Sequence, residues 1–190
     1  MNERRGFIKY SELADLSLQD AISRIRGVEG IRFGDLKVAD LLLNGAIADM
    51  KLSDHIEPNC YGRGAYVFFD GQSPIYVGKA DNFLSRLVGH RNTDPQLFWG
   101  FNALLKKVAT VQLKAGHSYT KEKLMEALKI ADGFDLVRVL LDRKDTGEKL
   151  HRFERTIMKG MKYQSKTLLN DGIPFVDDKF MRQSFQEIMQ

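Results

Sequence analysis

The sequence predicts a mixed α/β (α+β) fold, on three observations. Phe68, Phe69, Ile75 and Val77 give two short β-type runs on either side of Asp70-Gly71-Gln72-Ser73, a hairpin-loop composition with a glycine available for a positive-φ position. Phe134 to Leu141 is a dense apolar run that fits a central buried strand. Elsewhere apolar residues recur at helical spacing, most clearly Leu84, Leu87 and Val88, and again Leu150, Phe153, Ile157, Met158 and Met161.

Taken in order, residues 1–57 read as a mainly helical region. Leu13, Leu16, Leu18, Ala21, Ile22 and Ile25 are loosely periodic, Gly27 and Gly30 break the run, and Val38, Leu41, Leu42 and Ile47 form another before Pro58. Residues 58–172 hold the hairpin, a helix beginning after Asp81-Asn82, helical segments near Gly100–Val108 and Thr120–Ala131, the apolar strand, and a long helix. Residues 173–190 form a tail packed on the same domain, with a turn at Gly172 and Pro174 and then a short helix. There is no internal repeat or low-complexity segment.

At 190 residues the chain can bury one good core, and 43% hydrophobic with 28% charged residues is a globular composition. A net charge of +4 and a pI near 9.1 hint at a polyanionic partner. The local distribution says more: Lys149, Arg152, Arg155, Lys159, Lys162 and Lys166 stand against Glu154 alone, and Arg91, Lys106 and Lys107 add cations near the hairpin helix. Such runs suit either a solvated helix face or contact with phosphates. The lone Cys60 cannot form an intramolecular disulfide, and His55, His117 and His151 show no metal-ligand spacing. His151, three residues before Glu154, is left as a helix-face residue. The polar start Met1-Asn2-Glu3-Arg4-Arg5 carries no signal peptide and no run approaches transmembrane length, so a cytoplasmic protein without membrane contact is expected.

The hairpin gathers unusual side chains. With a three-residue loop at 70–72, Tyr66 falls opposite Tyr76 and both phenols emerge on one face. Asn82 can cap the following helix, and Arg86 and His90, four apart, stack beside its apolar stripe. On the later helix the apolar residues span an arc of about 140°, and Glu154 lies near its middle, at about 40° from Leu150. A carboxylate placed there is paired, hydrogen-bonded or metal-bound, because burying it alone is costly.

These residues carry a resemblance. Gly64-Ala65-Tyr66 and Tyr76-Val77-Gly78, followed by Lys79, Arg86 and His90 in PIYVGKADNFLSRLVGH, resemble the paired tripeptides and arginine helix of the GIY-YIG nucleases, departing at Ala65. The likeness runs from about residue 60 to residue 172 and extends to Glu154 on a later helix and Asn170 in the turn beyond it. It implies a small three-stranded, mainly antiparallel sheet flanked by helices, with residues 1–57 as an N-terminal helical extension for target recognition, dimerisation or scaffolding. It also implies a catalytic set of Tyr66, Tyr76, Arg86, His90, Glu154 and Asn170. Glu154 is a hard oxygen ligand suited to a single Mg²⁺, with Mn²⁺ as a substitute, and Arg86 suits bidentate contact with the scissile phosphate. Tyr66 would take the proton of the attacking water while Tyr76 positions water or phosphate. A free phenol titrates near 10, so this requires depression by Arg86, Lys79 or the metal. His90 is the competing base or a relay.

Arg86 followed by His90 is more similar to the restriction-endonuclease branch than to the excision-repair branch. The expected function is therefore Mg²⁺-dependent DNA cleavage by a type II restriction or related defence nuclease, with Lys79, Arg91, Lys106, Lys107, Arg152 and Arg155 on the DNA. A structure-selective repair or recombination nuclease and a non-catalytic nucleic-acid-binding module are the alternatives, and RNA stays open as a substrate. Each residue alone also has a plain explanation: half-buried strand tyrosines, a solvated arginine, a core histidine, a salt-bridged glutamate.

Overall fold

The computed structural model describes residues 6–41, 61–98, 100–116, 118–141 and 146–190. The expectations for Leu42, Ile47, His55, Pro58, Cys60 and His117 lie outside the described residues. One mixed sheet is built from β1 (Phe7–Lys9), β2 (Ile31–Arg32), β3 (Gly64–Asp70), β4 (Ser73–Ala80) and β5 (Asp135–Leu140). Its order is β1-β5-β3-β4, with β2 also on β5. The helices are α1 (Leu18–Arg26), α2 (Val38–Leu41), α3 (Phe83–His90), α4 (Ala103–Gln112), α5 (Lys121–Ala131), α6 (Gly147–Gln164), α7 (Asp178–Arg182) and α8 (Phe185–Met189).

The mixed class is as expected, but the sheet has five strands where three were expected. β3 pairs antiparallel with both β4 and β5. The other edge of β5 is shared end to end: β2 pairs antiparallel at Leu136 and Asp135, and β1 pairs parallel at Arg138, Val139 and Leu140. Both extra strands come from the stretch read as helical. They are too short to show a period-2 pattern, so only the unpaired edge of β5 reveals them.

Both faces of the sheet are covered, which is why β3 reads as an almost unbroken buried run. Ala65, Val67, Phe69, Val77, Val137 and Val139 face α1, α6 and the C-terminal helices. Tyr66, Phe68, Tyr76 and Leu136 face the layer containing Phe33, Phe83, Leu87, Leu104 and Leu124. Asn82 caps α3 as expected, its Oδ1 accepting from Ser85 N at 3.0 Å. The buried stripe of α3 is corrected: Phe83, Leu87 and His90 are buried, whereas Val88 is 60% exposed. At the C-terminus Phe185 stacks on Phe153 with ring centres 5.5 Å apart, and Phe185 N donates to Leu16 O.

The outer edge of β4 is closed by the segment after α6. Thr167 Oγ1 donates to Pro74 O at 2.9 Å, Leu169 N donates to Ile75 O at 2.7 Å, and Asn170 pairs with Val77. Covering an edge in this way removes a template for unwanted strand addition.

Candidate active site

The hairpin register differs from the expected one by two residues. The loop is Gly71-Gln72, with Asp70 opposite Ser73 and Gly71 at φ +56°, and a bulge interrupts the ladder between Phe68 and Phe69. Tyr66 therefore lies opposite Gly78, and Phe68 lies opposite Tyr76. A two-residue shift preserves side-chain facing, so the tyrosines still share one face, with ring centres 6.3 Å apart. Gly78 has a specific task here. A Cβ built on it would meet the Tyr66 hydroxyl at 2.2 Å, so only glycine lets that ring lie across β4.

Tyr66 is fully buried, and its oxygen sits between two nitrogens: His90 Nε2 at 2.5 Å and Arg86 Nε at 3.0 Å. Arg86 donates from Nε, and it also donates through a terminal nitrogen to Gly100 O. Leu104 N–H faces His90 Nδ1 at 3.5 Å. Two N–H groups cannot face each other, so Nδ1 carries the lone pair and Nε2 carries the proton. This tautomer is inferred from the hydrogen-bond pattern. Tyr66 O thus accepts two N–H bonds and directs its own proton elsewhere.

Burial sets the protonation of this cluster. It raises Tyr66 well above the usual phenol range, with Tyr76 adding to the effect and Arg86 opposing it. Tyr76 is raised by the same burial, again against Arg86. His90 is lowered well below the ordinary histidine value, first by burial and then by Arg86. At neutral pH the cluster is a phenol, a neutral imidazole and a guanidinium. The depression expected for Tyr66 is present through Arg86 but is outweighed by burial, and Lys79 is directed to other partners. Fully buried His90 touches no solvent.

Glu154 reaches the same place from α6, on the other face of the sheet. It comes in beside Lys79, which shares the α6-facing side of β4 with Val77. Its side chain is 13% exposed, with Lys79 Nζ at 3.9 Å and His151 Nδ1 at 3.5 Å. Lys79 Nζ and His151 Nδ1 are 3.2 Å apart. Burial raises the Glu154 carboxyl above its usual range, while Lys79, His151 and Arg86 pull it down. Both neighbours stand off further than a tight charged hydrogen bond, so the carboxylate keeps lone pairs for another ligand. Among the described residues no group of three or more His, Cys, Asp or Glu side chains is placed to hold a metal. A single desolvated carboxylate fits Mg²⁺, which takes one or two carboxylates and completes its shell with water and substrate oxygens.

The remaining candidates divide. Arg155 is exposed and lines a hollow with Glu154, His151, Lys159 and Pro174. Four other cations have partners within the protein, and two of them, Arg91 and Arg152, stay partly exposed. Arg91 binds Phe33 O at 2.9 Å and Asp132 at 2.8 Å and lies over the Phe33 ring. Lys106 turns inward, 4% exposed, to donate to Leu97 O at 2.7 Å. Lys107 pairs with Asp171, and Arg152 donates to the Met189 and Gln190 carbonyls and meets Glu148. Asn170 faces β4: its Oδ1 accepts from Val77 N at 2.8 Å and its Nδ2 donates to Val77 O at 2.9 Å. It is a strand clamp one residue before the glycine that admits Tyr66.

Sequence reasoning gave no site role to His151, Gly100 or Phe101. The i, i+3 spacing to Glu154 is the signal that points to His151. Gly100 and Phe101 carry no such signal, because they join the site only through the fold. A second hollow contains Lys79, Asn82, Arg86, Phe101 and Glu154, so Glu154 borders both. No protein-family model, curated protein or solved structure matches this chain.

Proposed function

We propose that this protein is an endonuclease of the GIY-YIG type that hydrolyses DNA phosphodiesters with Mg²⁺ or Mn²⁺, in a restriction or related defence role. One observation carries the reading: Tyr66 on β3, Tyr76 and Lys79 on β4, Arg86 on α3 and Glu154 on α6 meet at one end of the edge strand. Glu154 borders two open hollows, which suits a polymer better than a small closed-in substrate.

Each side chain has work that the chemistry requires. Glu154 would hold the metal, which when bound supplies charge neutralisation at the phosphoryl and leaving oxygens. Arg86 gives N–H groups to Tyr66 and Gly100 and keeps others for a phosphoryl oxygen, in the manner of a preorganised donor. Once the Tyr66 proton has passed to solvent, the Arg86 and His90 N–H groups would hold the phenolate, which accepts the proton of the attacking water and returns to the phenol. Tyr76 orients the water or phosphate beside it.

Incubating the purified protein with plasmid DNA and Mg²⁺, then resolving the products on a gel, tests this. Discrete fragments are the expected result, and a smear would replace site-specific with non-specific cleavage. Intact plasmid with both Mg²⁺ and Mn²⁺ would overturn the hydrolase reading.

A further inference from the structure

One segment beside the candidate site carries two exposed phenylalanines three residues apart. Phe98 is 78% exposed and Phe101 is 53% exposed, and Phe101 lines the hollow that also contains Arg86, Lys79 and Glu154. The segment is held in place. Arg86 donates to Gly100 O, Phe101 N donates to Phe98 O at 3.0 Å, and a Cβ on Gly89 of α3 would meet Phe101 O at 3.3 Å. The guanidinium assigned to the phosphate therefore also fixes the backbone that displays the rings. Val88, exposed on α3 one residue before Gly89, extends the apolar surface.

Phe101 leaves a ring in water in a cationic cleft, and Phe98 leaves a second ring in water on the same segment, although burying either would be favourable. A phosphate chain suits the cations, and the group that accompanies each phosphate and prefers an aromatic face is a nucleobase. A base can stack on a side chain only when it has left its own stack, as in an unpaired, extruded or single-stranded nucleotide. We propose that Phe98 and Phe101 form a stacking platform for an unstacked nucleobase next to the scissile phosphate. The substrate is then DNA that is locally open at the cut site or is opened on binding. The proposal rests on the nuclease reading and narrows its substrate.

The test uses the full chain with Ca²⁺ in place of Mg²⁺ to suppress cleavage. The probes are a fully paired duplex and the same duplex carrying one unpaired 2-aminopurine. The wild type is expected to bind the second probe more tightly and to quench its fluorescence. Phe98→Ala and the double variant Phe98→Ala, Phe101→Ala should weaken that binding by about 5- to 150-fold, the loss of one base–aromatic stack, and abolish the quench. Phe98→Leu keeps the apolar bulk and folding and should lose the quench equally. Met125→Ala removes an exposed apolar side chain outside the cleft and should change neither. A wild type that binds both probes, with Phe98→Ala and Phe98→Leu indistinguishable from it, would overturn the platform and leave the nuclease reading intact. A wild type that binds neither probe would overturn both.

Discussion

The two halves of the candidate site are built on opposite physical terms. On the α3 side, Tyr66, Tyr76 and His90 are buried, and the Tyr66 hydroxyl is bonded at 2.5 and 3.0 Å. On the α6 side, Glu154 is partly exposed, and its neighbours stand at 3.5 and 3.9 Å. The first half is saturated with internal hydrogen bonds and so serves as a rigid, preorganised part. The second is undersaturated and has room for a ligand. Removing a group should therefore cost stability on the α3 side, and function without stability on the α6 side.

The largest expected effect is at Glu154. Glu154→Gln should abolish Mg²⁺-dependent cleavage while leaving DNA binding largely intact. The raised carboxyl means the folded state binds more protons than the unfolded state, so its ionisation opposes folding as pH rises through the carboxylate range. The variant should accordingly melt higher than wild type at pH 8, and the gap should close by pH 4. Cleavage near wild-type rates would remove Glu154 from the site.

Next comes Tyr66→Phe, for which cleavage should fall by about 10²- to 10⁴-fold, the range typical of losing a general base. Here stability should fall as well, by about 1–3 kcal/mol, because the Arg86 and His90 N–H groups lose a buried acceptor. Since burial raises the phenol, the single-turnover rate of wild type should climb steadily from pH 6 to 9. A rate that stays flat across this range would instead make His90 the base, because burial lowers the imidazole and leaves it already neutral there. An active Tyr66→Phe enzyme with an unchanged profile would remove tyrosine from the proton transfer.

A smaller effect separates Arg86 from the cations held internally. Arg86→Ala should slow turnover by about 10²-fold or more, as loss of one transition-state donor does. Arg91→Ala should chiefly lower the melting temperature, because Phe33 O and Asp132 lose their partner. A reduced salt slope for DNA binding in Arg91→Ala would place that residue on the DNA surface as well.

The mildest test is acid. His90 is lowered, so the unfolded state binds more protons below about pH 6.5, and stability should decline as pH falls from there. His90→Gln should flatten that part of the stability–pH curve. A wild-type curve that is already flat between pH 7 and 5 would mean that the imidazole is accessible to protons in the folded state.

What the sequence determined by itself was facing and spacing. The i, i+4 spacing puts Arg86 and His90 on one side of α3, whereas Tyr66 and Tyr76 share a face only because the bulge between Phe68 and Phe69 restores the parity that the two-residue loop alone would break. The 3.6-residue period puts Glu154 on the inner side of α6. Asn82 fixes the start of α3 by a local bond. Tertiary structure decided which partner each face meets. It moved Tyr66 opposite Gly78, drew Phe7–Lys9 and Ile31–Arg32 onto the open edge of β5, and buried Phe83 in place of Val88. It also turned Lys106 inward, tied Arg91 to Asp132 and made Asn170 a clamp on Val77. The reason is physical: periodicity encodes which way a side chain points within its own element. A hydrogen-bonded edge, an ion pair or a ring contact joins residues far apart in the chain, and that choice is settled only when the elements pack.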